Sequence, residues 1–254
     1  MLPQRALHLP RLSEPINIPD ENSLRYSAMT YRALATDVDG TLTSKAHGIS
    51  TGAIQAIRDL EARGVPVILA SARPYPILNI LREYLGTSGA IVCENGGHVD
   101  YGGESKLLGD NEECLEVYRR LREAHGDRVR EAWTNRYNFV DLAIERTIEK
   151  EKGLTVLSEF PNLRLIDSGF YYHVLARDVD KGKGLRAAAE MMGIDPSIIV
   201  AIGDSEVDME LLQEAGYGVA VGDASDELKE IADPVTKGEN GEGFVEAVKR
   251  LFWP

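Results

Sequence analysis

From Tyr31 onward, short apolar runs alternate with stretches whose apolar residues recur at helical spacing. Ala33-Leu34-Ala35-Thr36 reads as a buried strand. Ser50 to Arg63 then places Ile54, Ile57 and Leu60 on one helical face, closed by Gly64. The unbroken run Val65 to Ala70 has the pattern of a strand covered on both faces. A helix over Pro76 to Leu85 leads into a strand over Ala90 to Cys93. Strand, helix, strand, helix, strand predicts a parallel sheet wound with helices.

The rhythm breaks at about Tyr101. An amphipathic helix, Glu112 to Ala124, is followed by alternating or aromatic segments at Tyr137 to Ile144, Leu163 to Ile166 and Phe170 to Leu175. These predict an α+β insertion with a small antiparallel sheet. After Asp180 the first rhythm resumes, with helix Gly184 to Met192, strand Ile198 to Ile202, helix Asp208 to Glu214, strand Gly218 to Val221 and helix Gly243 to Leu251. The expected organisation is a core over residues 31–103 and 178–254, with a cap over 104–177. Residues 1–30 contain several prolines and neither apolar period, so they read as a flexible arm. Their apolar stretch is too short and interrupted for a signal peptide, and Met29 is a second candidate start beside Met1.

Composition narrows the functional classes. The 254 residues are 43% hydrophobic and 27% charged, which is globular usage. A net charge of −13 and a pI near 4.9 argue against binding nucleic acid or an anionic membrane. Residues 104–177 hold 12 Lys or Arg against 14 Asp or Glu, so most of the negative charge falls on the core. Cys93 and Cys114 form neither a CxxC pair nor a disulfide framework. No apolar run approaches the roughly 20 residues of a membrane helix. A cytoplasmic location, with a monomer or homodimer, is expected.

The candidate chemistry sits where strands are expected to end. Thr36-Asp37-Val38-Asp39-Gly40-Thr41-Leu42-Thr43 follows the first strand, where open α/β sheets bind ligands. Asp37 and Asp39 on one side of a tight turn repel unless a cation or shared proton intervenes. One could attack phosphorus while the other moves protons, with Mg²⁺ between oxygen ligands. The plainer reading is a turn that uses Asp and Gly for their backbone preferences. Gly203-Asp204-Ser205-Glu206-Val207-Asp208 ends another apolar run. Capping explains Asp204 by itself; a second carboxylate at Asp208, one helical turn on, calls for solvent or a metal. Ser71-Ala72-Arg73 supplies a hydroxyl and a guanidinium suited to phosphoryl oxygens, or else an ordinary turn with a solvated arginine. In Asp180-Lys181-Gly182-Lys183-Gly184, Lys181 is a point charge beside glycines that let backbone approach an anion, or part of a plain basic loop. Glu94-Asn95-Gly96-Gly97 reads first as a turn, with Asn95 a possible substrate contact. None of the five histidines is metal-spaced, and His173 in Tyr171-Tyr172-His173 reads as a strand residue. No GxSxG competes.

Taken in order, DxDGT (Asp37 to Thr41), Ser71, Lys181 and GDxxxD (Asp204, Asp208) resemble the haloacid dehalogenase-like (HAD) superfamily of phosphohydrolases. The insertion looks like its type 2 cap. The compact cap and the CENGG stretch are most similar to the archaeal-type phosphoglycolate phosphatases. The resemblance implies a Rossmann-like HAD core and two-step hydrolysis of a small phosphomonoester. Asp37 is then the nucleophile and Asp39 the acid and base. Mg²⁺ is held by Asp37, the Asp39 carbonyl, Asp204 and Asp208. Thr41, Ser71, Arg73, Asn95 and Lys181 are the expected substrate-binding residues. Two departures stand out: Val207 where Asn is common, and Ala72 where Gly is usual. Arg130, Arg136 and Arg164 of the cap could meet a substrate carboxylate, with a solvated surface as the default. Hydrolysis of a sugar phosphate or of mannosyl-3-phosphoglycerate is the nearby alternative; a phosphomutase or a non-catalytic phosphate-binding module is more remote.

Overall fold

The computed structural model describes residues 31–44 and 48–253; the expected arm and the choice between Met1 and Met29 lie outside them. Seven strands form the larger sheet: β1 (Ala33–Asp37), β2 (Val67–Ala70), β3 (Ile91–Cys93), β4 (His98–Tyr101), β5 (Glu104–Leu107), β9 (Ile199–Gly203) and β10 (Tyr217–Ala220). Their order is β10-β9-β1-β2-β3-β4-β5. The five strands from β10 to β3 run parallel, while β4 and β5 return antiparallel. Every residue of β1, β2, β3 and β9 is buried, which is why these runs are apolar but for Thr36 and Asp37 at the end of β1. Helices α1 (Thr51–Ala62), α2 (Tyr75–Leu85) and α8 (Asn240–Phe252) pack together. Helices α5 (Lys181–Met192), α6 (Met209–Glu214) and α7 (Asp226–Ile231) form a second group.

The second sheet, ordered β6-β8-β7, is antiparallel and comprises β6 (Leu142–Glu145), β7 (Leu163–Asp167) and β8 (Tyr171–Ala176). With α3 (Glu112–His125) and α4 (Lys150–Leu157) it encloses its own apolar cluster, which includes Cys114, Val117, Leu121, Leu142, Ile144 and Val174. A smaller cluster of Val140, Ile166, Leu175 and Val179 receives Val207 from the larger domain.

Several expectations need correction. Residues 104–107, assigned to the cap, form β5 at the edge of the larger sheet. Gly102 and Gly103, at φ +63° and +86°, make a two-residue hairpin turn that only glycine adopts without strain. All four residues of β5 are exposed, so the strand carries no apolar pattern to read. The strand expected over Tyr137 to Ile144 shrinks to β6, because Trp133–Tyr137 forms a 3₁₀ turn. Helix α5 starts at Lys181 rather than Gly184 and α8 at Asn240 rather than Gly243; short helices α4 and α7 were not anticipated. Among the described residues, no helix is long and apolar enough to cross a membrane.

Candidate active site

Because β1, β2 and β9 run parallel, their carboxyl ends share one sheet edge. Asp37 ends β1, Ser71 follows β2, Asp204 follows β9, and Lys181 opens α5. A cleft of about 440 Å³ lies there, lined by Asp37, Asp39, Ser71, Ala72, Arg73, Lys181 and Asp204. The smaller domain closes the other side with Thr134, Asn138, Tyr171 and His173. That volume is within the roughly 300–1,000 Å³ typical of small-molecule sites.

At its floor Lys181 donates from Nζ to Asp37 Oδ1 and to Asp208 Oδ1, both at 2.6 Å. Carboxylate oxygens of Asp37, Asp204 and Asp208 lie within 4.8 Å of one another, while Asp37 Oδ2 has no hydrogen-bond partner. Three carboxylates against one ammonium leave an excess of negative charge that a divalent cation neutralises. The titration behaviour carries the same mark. Burial raises Asp37 well above the usual carboxylate range, although Lys181 pulls it down. Burial, then the charge of Asp208, pushes Asp204 up to about 7. Burial opposes the charge on Lys181, but its two carboxylates outweigh this and its pKa lies above the ordinary value.

The turn after β1 positions these groups. Gly40 has φ +95°, and a Cβ there would stand 2.3 Å from Asp204 Oδ2, so only glycine permits this approach. Thr41, expected at the substrate, is fully buried and donates from Oγ1 to Asp204 Oδ1 at 3.1 Å. It orients a carboxylate instead of lining the cleft. The Asp39 side chain is outside the three-carboxylate cluster. Arg73 grips it through two hydrogen bonds, Nε to Oδ2 at 2.7 Å and Nη2 to Oδ1 at 2.6 Å. Ser71 Oγ accepts from the Arg73 amide at 3.2 Å, leaving its own proton for another acceptor.

The second acidic cluster reverses the capping assignment. Ser205, not Asp204, caps the short 3₁₀ turn Glu206–Asp208, and Asp208 completes the capping box. Asp208 Oδ2 accepts from the amides of Asp204 and Ser205 at 3.1 and 3.2 Å. Capping thus explains one oxygen of Asp208 and Lys181 the other, whereas Asp204 faces the cleft. Val207, where an amide is common, packs on the small interdomain apolar cluster. The glycines beside Lys181 serve packing: a Cβ on Gly182 would sit 2.3 Å from the Glu210 carbonyl oxygen, and one on Gly184 would sit 2.4 Å from Val92.

Asn95 is not brought to the cleft. It is buried at φ +54° and donates from Nδ2 to Asp141 Oδ2 at 3.0 Å. Its neighbour Glu94 reaches into the smaller domain, where Oε2 accepts from the amides of Phe139, Val140 and Asp141 at 2.9, 2.8 and 3.2 Å. Sequence reading missed Glu94, Asp141 and His173 as members of one buried polar network, since they come from three distant segments. Of the cap arginines, Arg130 pairs with Glu145, Arg136 lies over Tyr137, and Arg164 binds the Val179 carbonyl and pairs with Glu210. None of the three lines the cleft. Burial pushes the Cys93 thiol well up and Cys114 up to about 12, so neither is an activated nucleophile.

Comparison with known proteins fits this geometry. A family model described as haloacid dehalogenase-like hydrolase matches residues 34–124 and 158–248. A protein of Archaeoglobus fulgidus named phosphoglycolate phosphatase is 36% identical over 222 residues, covering 87% of this chain and 96% of its own. One of the same name from Methanopyrus kandleri is 37% identical, covering 85% and 95%. A crystal structure from Thermoplasma acidophilum superposes with TM-score 0.81 at 29% identity, covering 88% of this chain and 99% of that one. Sequence likeness over most of both chains, together with the shared fold, places this chain in the family: it belongs to the haloacid dehalogenase-like hydrolases.

Proposed function

We propose that the chain is a Mg²⁺-dependent phosphomonoester hydrolase that converts 2-phosphoglycolate and water to glycolate and phosphate. Asp37 carries this reading: it is buried at the cleft, one oxygen held by Lys181 at 2.6 Å and the other without a partner. A desolvated carboxylate so held suits in-line attack on phosphorus. The unpartnered oxygen and the crowded carboxylates fit a hard divalent cation, with Asp37, Asp204 and Asp208 as the side chains that would hold it. When bound, Mg²⁺ supplies charge neutralisation at the phosphoryl oxygens. Asp37 bonds to phosphorus as the ester oxygen departs. Asp39 gives that oxygen a proton, then takes one from the water that cleaves the aspartyl-phosphate and restores Asp37. Ser71 donates to a phosphoryl oxygen, and Lys181 offsets the charge of Asp37. Arg73 competes for the same anion, and its departure from Asp39 frees that carboxyl for proton transfer.

The substrate rests on relatives of 36–37% identity that bear the name phosphoglycolate phosphatase. Two free buried thiols suit a reducing cytoplasm. A panel of phosphorylated metabolites, compared by kcat/KM with Mg²⁺, should rank 2-phosphoglycolate first; preference for a sugar phosphate would move the chain to that alternative. Asp37→Asn should lose about 10³-fold or more in kcat on any phosphomonoester with an unchanged circular dichroism spectrum. Turnover retained by that variant sinks the mechanism.

A further inference from the structure

We propose that His173, held by the buried carboxylate of Asp141, is the residue that reads the substrate group remote from phosphorus and selects a carboxylate there. The inference rests on the phosphatase reading above and deepens it. His173 lies on β8 of the smaller domain, is 4% exposed and lines the cleft. Its Nδ1 is 2.8 Å from Asp141 Oδ2. Asp141 is fully buried, and Asn95 and Asn138 also donate to it. An ionised carboxylate only accepts, so Nδ1 carries a proton, and Nε2 is the nitrogen left for a ligand. Among the hydrogen-bond partners of Asp141, the imidazole is the one that can become cationic. A carboxylate docking at Nε2 places one carboxylate on each side of the ring, and two flanking negative charges favour the imidazolium form. Of the other cations of the cleft, Lys181 is held by Asp37 and Asp208, and Arg73 sits at the sheet edge, paired with Asp39 until the phosphoryl group draws it away. The cap arginines are elsewhere. The phosphoryl group belongs at the sheet edge, so the far end of a short substrate points toward the smaller domain, where His173 waits. Asn95 and Asn138 tie Asp141 in place, which makes Asp141 a positioning residue.

The test compares 2-phosphoglycolate with ethyl phosphate, which has the same two-carbon length and no carboxylate, in wild type, His173→Gln and Asp141→Asn with Mg²⁺. Wild type should prefer 2-phosphoglycolate. His173→Gln should lose about 10-fold or more in kcat/KM on that substrate, mostly through KM, and stay within about 2-fold on ethyl phosphate. Asp141→Asn should shift the same ratio in the same direction. Equal losses on both substrates, or none, overturn the proposal and leave the phosphatase reading standing. If His173→Gln fails to fold, His173→Asn takes its place under the same criteria. Equal wild-type rates on both esters overturn carboxylate selection together with the assigned substrate. Hydrolysis of neither ester removes the phosphatase reading and this inference with it.

Discussion

At the scale of single residues, the site crowds the carboxylates of Asp37, Asp204 and Asp208 around one ammonium, that of Lys181. The pKa of Asp204 rises from 3.8 to about 7 through burial and the nearby charge of Asp208. A carboxyl whose folded pKa is raised binds more protons folded than unfolded. Its favourable contribution is therefore complete below about pH 4 and lost as pH climbs through about 7. Metal-free protein should accordingly gain more melting temperature from Mg²⁺ at pH 8 than at pH 5. Asp204→Asn should flatten that difference, as read by differential scanning calorimetry. Gly40 is the second residue-scale constraint, combining a left-handed φ of +95° with the 2.3 Å approach to Asp204. Gly40→Ala should destabilise by about 1–3 kcal/mol and displace the carboxylate, abolishing most turnover. Urea unfolding and a phosphate-release assay check the two effects.

At the scale of elements, what matters is how the turn after β3 joins the two domains. Gly96, at φ +102°, packs its Cα side directly against the backbone of Asp180 at the start of α5, where a Cβ would come within 1.8 Å of a carbonyl oxygen. That contact fixes the helix end that presents Lys181. Glu94 points the other way and gathers three successive amides ahead of β6. Glu94→Ala leaves those donors without a charged acceptor in a buried place. The expected destabilisation is about 2–4 kcal/mol, measured by urea unfolding. The Glu94 to Gly97 stretch is the turn its sequence predicts, and its Glu94 and Asn95 side chains bond to residues of the segment 139–141.

At the scale of the whole molecule, two apolar cores fold around one cleft, linked by a small cluster that includes Val140 and Val207. The smaller core forms its own apolar cluster, so a lesion within it is expected to act locally. Ile144→Ala, at a position 1% exposed, should cost about 2–5 kcal/mol locally. Hydrogen exchange should then speed up in β6, β7 and β8 while amides in β1, β2 and β9 keep their protection. Uniform acceleration would mean that the two domains unfold as one unit.

The parallel core and its acidic stations were legible in the chain itself. Strands buried on both faces are largely apolar, amphipathic helices repeat at their own pitch, and parallel strands deliver whatever follows them to a common edge. These are local rules, and they bring Asp37, Ser71 and Asp204 to one edge; Lys181, which opens a helix after the small sheet, joins them in the sequence only through the resemblance to the haloacid dehalogenase-like superfamily. What each side chain does there was a tertiary matter. The spacing of Asp39 and Arg73, or of Asp141 and His173, says nothing about which oxygen meets which nitrogen. Nor could sequence assign Thr41 to Asp204, or Asn95 to the domain joint. The hairpin strand β5 escaped because an exposed edge strand buries nothing and so leaves no apolar imprint. Sequence determined the sheet because burial is written residue by residue; the structure alone decided the pairings, because hydrogen bonds join segments whose separation in the chain carries no information about their distance in space.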